Sequence, residues 1–309
     1  MIFCYIIIVF FILLIKFEIT MNTGFVSVTG GKIWYKILGA DKKGIPMLVL
    51  HGGPGAPHDY LENLEILADE RPIIFYDQLG CGNSDRPVDN SLWNVDRFVE
   101  EIVIIKKELN LNKFNLFGQS WGSMLAVKYY LDITNNGVNS LILSGPCLSA
   151  VKFTEDVRKM VNQLPEKEKN IIFESEEKGD FSSLEFQQAM EVFYAKHVCQ
   201  IIPPPESFVR TMEKMGADVY NYMWGPSEFS VFGTIKDIDL TNQLEKISVP
   251  TILICGEFDE ASPETTKMYS SKIKNSKCVV LNGASHMHNL EKPKEFIFNV
   301  RQFLQKVEK

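Results

Sequence analysis

Short runs of Val, Ile and aromatic residues recur along the chain, each bounded by Gly, Pro, Asn or Asp, as is typical of buried β-strands. These runs lie at Ile33–Leu38, Met47–Leu50, Ile73–Tyr76, Phe114–Phe117, Leu141–Leu143, Thr251–Cys255 and Cys278–Leu281. Helical patterns occur between several of them, at Val95–Leu109 and Trp121–Leu131, and a last helix is predicted at Lys294–Val307. This alternation predicts an α/β fold with a mostly parallel sheet covered by helices on both faces.

The alternation stops between about Ala150 and Asp237, where charged helical segments and a run of three prolines appear without a clear strand. It resumes at Val249 with another buried run. We therefore predict one core built from residues 21–150 and 237–309, with an inserted helical cap at residues 151–236.

Length and charge narrow the classes of protein. A chain of 309 residues with 45% hydrophobic content can bury one substantial core and a smaller second domain. Acidic residues outnumber basic ones by 39 to 32, and no Lys/Arg block is present, so nucleic acid is disfavoured as a partner. The six cysteines show neither C-x-x-C nor zinc-site spacing, which favours reduced, intracellular thiols over a disulfide framework or a metal site.

The N-terminal segment, residues 1–20, is open to three interpretations. Its first fifteen residues are apolar, but a helix of that length spans only about 22 Å, less than a bilayer core. A signal peptide would need a basic start and a small-residue cleavage site, whereas the first charge here is Lys16. Met21 could instead be the true start. We expect a cytoplasmic protein, with membrane anchoring by this segment as the alternative.

A G-x-S-x-G pattern at Gly118–Gly122 follows the strand at Phe114–Phe117 and precedes a helix, as the nucleophile elbow of an α/β-hydrolase fold requires. A serine at so sharp a turn needs small neighbours two residues away on each side. The pattern therefore predicts Ser120 as a nucleophile. The N-terminus of the following helix, including the Trp121 N–H, would stabilise an oxyanion formed there.

A glycine-rich loop, His51–Gly55, follows the strand at Met47–Leu50. Consecutive glycines let backbone N–H groups face a substrate, and the loop has the position of an oxyanion loop, with the Gly53 N–H as the predicted donor. A phosphate-binding loop is disfavoured because neither G-x-G-x-x-G nor G-K-[ST] is present.

The acid and base of a triad should follow later strands of the same sheet. Thr251–Cys255 leads to Asp259, the predicted acid, and Cys278–Leu281 leads to two histidines, His286 and His288, of which His286 is our choice for the base. Residue spacing leaves His288 open. The other three histidines are predicted to be structural: His51 and His58 precede the nucleophile, and His197 lies in the cap.

Taken together, these motifs resemble the proline iminopeptidases, or prolyl aminopeptidases, from about Phe25 to the C-terminus. The matching segments are His51–Gly55, Asp77–Ser84, Gly118–Ser123, Met223–Phe229, Gly256–Glu260 and Ser285–Met287. The likeness is greatest to the archaeal branch, the tricorn-interacting aminopeptidase, whose cap carries a similar G-P-x-E-F segment. The resemblance also favours His286 over His288.

The resemblance implies that the substrate's α-amine is held by Glu228 on the cap and Glu260 beside the acid, with Glu257 as an alternative to Glu260. An ammonium held by two carboxylates would select peptides with a free N-terminus. The resemblance also implies a small hydrophobic pocket, for which we consider the aromatic residues Trp121, Tyr222 and Trp224.

The expected activity is a serine aminopeptidase that releases N-terminal proline and other small or hydrophobic residues from short peptides through an acyl-enzyme, without a metal or organic cofactor. A larger tricorn-like protease complex could supply the peptides. An esterase or lactonase with the same triad is the alternative, and a membrane-tethered binding protein that has lost turnover is disfavoured by the intact triad. Dehalogenase and epoxide hydrolase chemistry is disfavoured because the elbow carries Ser120.

Overall fold

The computed structural model of the chain describes residues 20–133 and 136–309. Within them, eight strands form one sheet in the order β1-β2-β4-β3-β5-β6-β7-β8. The strands are β1 (Met21–Val28), β2 (Gly31–Leu38), β3 (Met47–Leu50), β4 (Ile73–Tyr76), β5 (Phe114–Gln119), β6 (Val138–Ser144), β7 (Thr251–Gly256) and β8 (Ser276–Leu281). Strands β3 to β8 run parallel, whereas β1 and β2 add an antiparallel edge.

Helices connect the parallel strands and cover the sheet. They are α1 (Val95–Glu108), α2 (Trp121–Lys128), α3 (Ala150–Val161), α4 (Glu166–Lys178), α5 (Leu184–His197), α6 (Glu206–Glu213), α7 (Ala217–Met223), α8 (Pro263–Lys272), α9 (His288–Glu291) and α10 (Pro293–Val307). A 3₁₀-helical segment at His58–Asp69 follows the glycine-rich loop. Every residue of β3, β4, β5 and β7 is buried, which explains why these strands read as continuous apolar runs.

The predicted fold class, an α/β-hydrolase fold with a mostly parallel sheet, is confirmed. Most predicted strands match the observed ones within three residues. The helix predicted at Trp121–Leu131 is α-helical only as far as Lys128. A π-helical turn, Tyr129–Ile133, follows it directly. The 3₁₀ segment and α8 were not predicted. The 3₁₀ segment buries Tyr60, Leu64 and Leu67 at helical spacing, whereas α8 buries only Thr266 and Tyr269 and has no apolar stripe.

Helices α3 to α7 all lie between β6 and β7, and we call residues 151–236 the cap segment. Its interior contains a cluster of aromatic rings in which Phe229 contacts Phe186 and Phe193, with centroids 6.0 Å and 5.0 Å apart. Arg158 on α3 pairs with Glu176 on α4 at 2.7 Å. The described part of this segment contains no strand, as its sequence predicts.

No helix in the described ranges is long and apolar enough to cross a membrane. The three interpretations of residues 1–20 concern residues that, apart from Thr20, lie outside the described part of the chain.

Candidate active site

Ser120 lies at the sharp turn between β5 and α2, with φ +52° and ψ −120°, a backbone conformation that residues other than glycine rarely adopt. The turn is packed closely on both sides. A Cβ atom on Gly118 would lie 2.3 Å from the Gly122 carbonyl oxygen, and one on Gly122 would lie 2.2 Å from the Leu50 carbonyl oxygen. Any larger side chain at either glycine would therefore force the strand and the helix apart.

The acid and the base that we predicted meet at the carboxyl edge of the parallel strands. Asp259 follows β7 and His286 follows β8, and His286 Nδ1 lies 2.7 Å from Asp259 Oδ1. Two backbone N–H groups fix the carboxylate, since Gly256 donates to Oδ2 at 3.2 Å and Ala261 donates to Oδ1 at 2.8 Å. Asp259 is thus held in a rigid turn.

The two side chains shift each other's titration. Burial alone would raise the pKa of Asp259, but His286 and His288 lower it well below its usual range. Burial alone would lower the pKa of His286, but the Asp259 carboxylate more than offsets this, so that the net shift is upward. A buried imidazole with a raised pKa is a stronger base than a free one.

The competing histidine, His288, lies on the other side of the same carboxylate. Its Nδ1 is 3.4 Å from Asp259 Oδ2, and its Nε2 is 2.8 Å from the Ser144 hydroxyl. The side chain is fully buried in the core, whereas His286 lines a cavity together with Ser120. The geometry therefore favours His286 as the base.

The glycine-rich loop lies beside the elbow because β3 and β5 are neighbours in the sheet, with Leu50 paired to Gly118. Gly53 has φ +105° and lines the same cavity as Ser120. A Cβ atom there would lie 2.5 Å from the Gly55 nitrogen, so only glycine fits. The Trp121 N–H occupies the first position of α2, where a helix leaves it without an intrahelical acceptor.

The remaining histidines support this loop and its neighbours. His51 Nε2 accepts a hydrogen bond from the Gln78 N–H at 2.8 Å, and burial lowers the pKa of His51 to about 4. His58 Nδ1 pairs with the buried Asp77 at 2.7 Å. His197 donates from Nδ1 to the Phe258 carbonyl at 2.8 Å. These contacts agree with the structural roles that we predicted for all three.

Of the two glutamates predicted to hold the amine, Glu228 lines the cavity and Glu260 lies beside the catalytic histidine. Glu228 comes from the cap segment, and its backbone N–H donates to the Tyr194 hydroxyl at 3.2 Å. Glu260 is fully buried, and within the described residues neither of its carboxylate oxygens accepts a hydrogen bond. Its Oε1 lies 3.7 Å from His286 Nε2. A buried carboxylate without a partner is costly and suits a cationic ligand.

Burial and proximity raise the pKa values of both glutamates. For Glu228, burial outweighs the opposing effects of His286 and the Tyr220 hydroxyl. For Glu260, burial and the negative charges of Glu228 and Asp259 act together. The unliganded pair therefore holds a proton to higher pH than two free carboxyl groups would, and a bound ammonium group would favour its release. The alternative residue, Glu257, is exposed and accepts from the Gly283 N–H at 2.8 Å, outside the cavity.

The cavity has a volume of about 290 Å³ and a largely apolar lining. Three aromatic residues that we considered for it lie elsewhere: Trp121 packs edge-on against Phe98, Trp224 packs against Phe153, and Tyr222 faces the surface. The side chains that line it instead, none of them singled out from the sequence, include Tyr60, Gln119, Met190, Tyr194, Phe208 and Tyr220. Only Gln119 had a local signal, its position inside the elbow motif.

Comparisons with known proteins agree with this fold and geometry. A family model described as alpha/beta hydrolase fold matches residues 45–293. A proline iminopeptidase of Heyndrickxia coagulans is 44% identical over 285 residues, which cover 92% of this chain and 99% of that protein. One from Saccharolobus solfataricus is 35% identical over 302 residues, covering 96% and 97%. The crystal structure of a proline iminopeptidase of Mycobacterium smegmatis superimposes with a TM-score of 0.85 at 32% identity, covering 93% and 99%.

The first match defines the class, the α/β hydrolases. Within that class, the chain belongs to the proline iminopeptidase family.

Proposed function

We propose that the chain is a serine aminopeptidase that releases N-terminal proline, and other small or hydrophobic residues, from short peptides. The observation that carries the proposal is a single cavity lined by Ser120, His286 and Glu228, next to the unpartnered carboxylate of Glu260. Nucleophile, base and a site for a cation thus lie within reach of one small ligand. The relatives named proline iminopeptidase support the same activity.

In the proposed mechanism, His286 removes the proton of Ser120, whose oxygen attacks the carbonyl carbon of the first residue. The N–H groups of Gly53 and Trp121 stabilise the oxyanion, and His286 then protonates the leaving amine. Water, activated by His286, hydrolyses the ester and releases the amino acid. Asp259 holds the imidazole in the required orientation throughout, and no step uses a cofactor.

Glu228 and Glu260 give selectivity for a free N-terminus. The α-nitrogen is separated from the scissile carbonyl carbon by one atom, so a site for the ammonium must lie next to the catalytic base. Glu260, 3.7 Å from His286 Nε2, meets this requirement. An acylated N-terminus carries no charge and could not pair with these carboxylates, and loss of one partner of a buried charge pair costs about 2–5 kcal/mol.

We also propose that residues 151–236 act as a cap domain that limits the cavity to one residue before the scissile bond. Two contacts hold this segment on the site: the His286 N–H donates to the His197 carbonyl at 3.0 Å, and the Gly216 N–H donates to the Gly55 carbonyl at 2.8 Å. The cap therefore contacts both the base and the glycine-rich loop.

We propose that a larger, tricorn-like protease complex upstream supplies the peptides. A cytoplasmic location belongs to the same proposal. Five described cysteines, at positions 81, 147, 199, 255 and 278, carry free thiols, which suits a reducing compartment.

Hydrolysis of prolyl and alanyl anilides, compared with their N-acetylated counterparts and with simple esters, tests the proposal. We expect cleavage of the free-amine anilides only, and its loss in Ser120→Ala. Equal cleavage of acetylated anilides, or cleavage of esters alone, would instead assign the chain to the esterases or lactonases. A Ser91→Ala variant, at an exposed serine far from the cavity, is the matched control.

A further inference from the structure

A chain of hydrogen bonds runs from the glycine-rich loop to the catalytic histidine through two residues with no role in the mechanism above. The Gly52 N–H donates to the Tyr60 hydroxyl at 2.8 Å, and Tyr60 donates to Gln119 Oε1 at 2.5 Å. Gln119 Nε2 lies 3.0 Å from His286 Nε2. All four groups are buried or line the cavity.

The direction of each bond follows from the first donor. A backbone N–H can only donate, so the Tyr60 oxygen accepts from Gly52 and its own proton must point to another acceptor. That acceptor is the amide oxygen of Gln119. The NH₂ group of Gln119 then faces His286 Nε2, which can receive it only if Nε2 carries a lone pair and no proton.

Tyr60 is suited to be a fixed donor. Burial, together with the charge of Glu228, raises the pKa of its hydroxyl, so the phenol keeps its proton to higher pH than a free tyrosine. The reversed amide orientation would leave this buried proton without an acceptor, which is unfavourable.

We propose that Gln119 and Tyr60 are positioning residues that hold His286 as the neutral imidazole, with its proton on Nδ1 and facing Asp259. The site would thus present an unprotonated Nε2 before substrate binds. In the first step of the reaction, that Nε2 lone pair accepts the proton of the Ser120 hydroxyl in place of the hydrogen bond from Gln119. The inference rests on the proposed function for the identity of the base, but it makes a separate claim about the tautomer.

Several negative charges near His286 favour its protonated form and so act against the effect of the Gln119 donor. Those that raise the pKa of His286 come from the β7 loop, the cap segment and α9, and the largest single one is Asp259. The ionisable groups facing the ring or its immediate partners are Asp259, Glu260, Glu228, Glu291, His288 and His197. Against this acidic surrounding, burial and the donor at Nε2 both favour the neutral ring.

The test compares Tyr60→Phe and Gln119→Glu with wild type and with Tyr129→Phe. Tyr129 is the matched control because its buried hydroxyl has no hydrogen-bond partner among the described residues. For each protein, the rate at which a fluorophosphonate inactivates Ser120 is measured against pH. This reaction needs the base but no free amine, so it reports on His286 even if the anilides are not cleaved.

Loss of the phenol lets the amide reverse and present its oxygen to Nε2, which favours the protonated ring. We expect the acid limb of the profile to move up by about one pH unit in Tyr60→Phe, as loss of one hydrogen bond of average strength would give. Gln119→Glu should move it further, and Tyr129→Phe should match wild type. Unmoved limbs in both Tyr60→Phe and Gln119→Glu would overturn the proposal.

Nitrogen-15 NMR of labelled histidine in Ser120→Ala gives a second measurement, in a protein that lacks the competing hydroxyl. Above the acid limb we expect His286 to show an unprotonated, hydrogen-bonded Nε2 and a protonated Nδ1. A protonated Nε2 there would contradict the proposal even if the variants of Tyr60 and Gln119 fold poorly.

Discussion

The two halves of the site are built in different ways. At the sheet edge, backbone atoms fix the reactive side chains: Ser120 is held by a turn that admits only glycine on either side, and Asp259 by two backbone N–H groups. In the cap segment, Glu228 lies in a loop. The contact that holds this loop is to a side chain, since the Glu228 N–H donates to the Tyr194 hydroxyl. In the proposed function, side chains that the backbone fixes carry out the chemistry, whereas a side chain from the cap segment contributes to the selectivity.

This difference separates the expected effects of mutation. Changes to the nucleophile, acid or base at the sheet edge should lower turnover of every substrate, because all substrates use these groups. Glu260 lies at the same edge but belongs to the proposed amine site. Changes in the cap should lower only the turnover of substrates with a free amine.

Ser120→Ala removes the nucleophile, and we expect kcat to fall by about a million-fold, as in other serine hydrolases. The circular dichroism spectrum and the melting temperature should stay close to those of wild type, because the substitution keeps the close packing of the turn around Gly118 and Gly122. Substantial residual turnover of prolyl anilides would mean that the sheet edge does not supply the nucleophile.

Asp259→Asn leaves the size of the side chain unchanged but removes the charge that stabilises the imidazolium of His286. We expect kcat to fall by about four orders of magnitude for all substrates. Steady-state kinetics with a prolyl anilide and inactivation by a fluorophosphonate should show the same loss. An effect restricted to free-amine substrates would place Asp259 in the amine site instead.

Gly122→Ala tests the rigidity of the elbow. The new methyl group would lie 2.2 Å from the Leu50 carbonyl oxygen, and we expect a loss of about 1–3 kcal/mol in the free energy of unfolding, measured by urea denaturation.

Gly179→Ala is the control for that variant. Gly179 has φ +66° but no atom within 4 Å of its Cβ position, so only the backbone cost of about 1–2 kcal/mol applies, with no loss of activity. Full activity of a folded Gly122→Ala protein would show that the close packing of the elbow is dispensable.

The pH profile distinguishes the two halves in one protein. His286 must be neutral to accept the proton of Ser120, and its raised pKa places the acid limb of kcat above the ordinary histidine value of about 6.5. The glutamate pair must lose its proton to bind an ammonium, so KM for free-amine anilides should also fall as pH rises. In Glu228→Gln, KM should lose most of this dependence and the limb of kcat should remain.

The residues proposed for the sheet edge could be selected from the sequence because their signals are local. A strand followed by G-x-S-x-G specifies the turn at Ser120, and acid and base come directly after later strands. The choice between His286 and His288 could not be made from spacing, since two residues in one loop differ only in the direction of their side chains. That direction depends on where α9 begins, at His288.

The cavity wall could be predicted far less well. Met190, Phe208 and Tyr220 come from three different helices, and the apolar face of a helix does not reveal which of its residues borders a cavity. Trp224 illustrates the error: its ring is buried against Phe153 and contributes to the packing of the cap instead of the pocket. Tyr60 carried no signal for a role at the site, because it belongs to the same buried apolar set as Leu64 and Leu67 in the 3₁₀ segment.

The central claim is that Glu228 of the cap segment binds the substrate's amine, whereas the catalytic groups at the sheet edge carry out the reaction. Its most direct test measures, for wild type and Glu228→Gln, kcat/KM with a prolyl anilide alongside the rate of Ser120 inactivation by a fluorophosphonate. We predict that the variant loses about 100-fold in kcat/KM, equivalent to about 2.7 kcal/mol, while its inactivation rate stays within about twofold of wild type. A parallel fall of both rates, or no change in either, would contradict the claim.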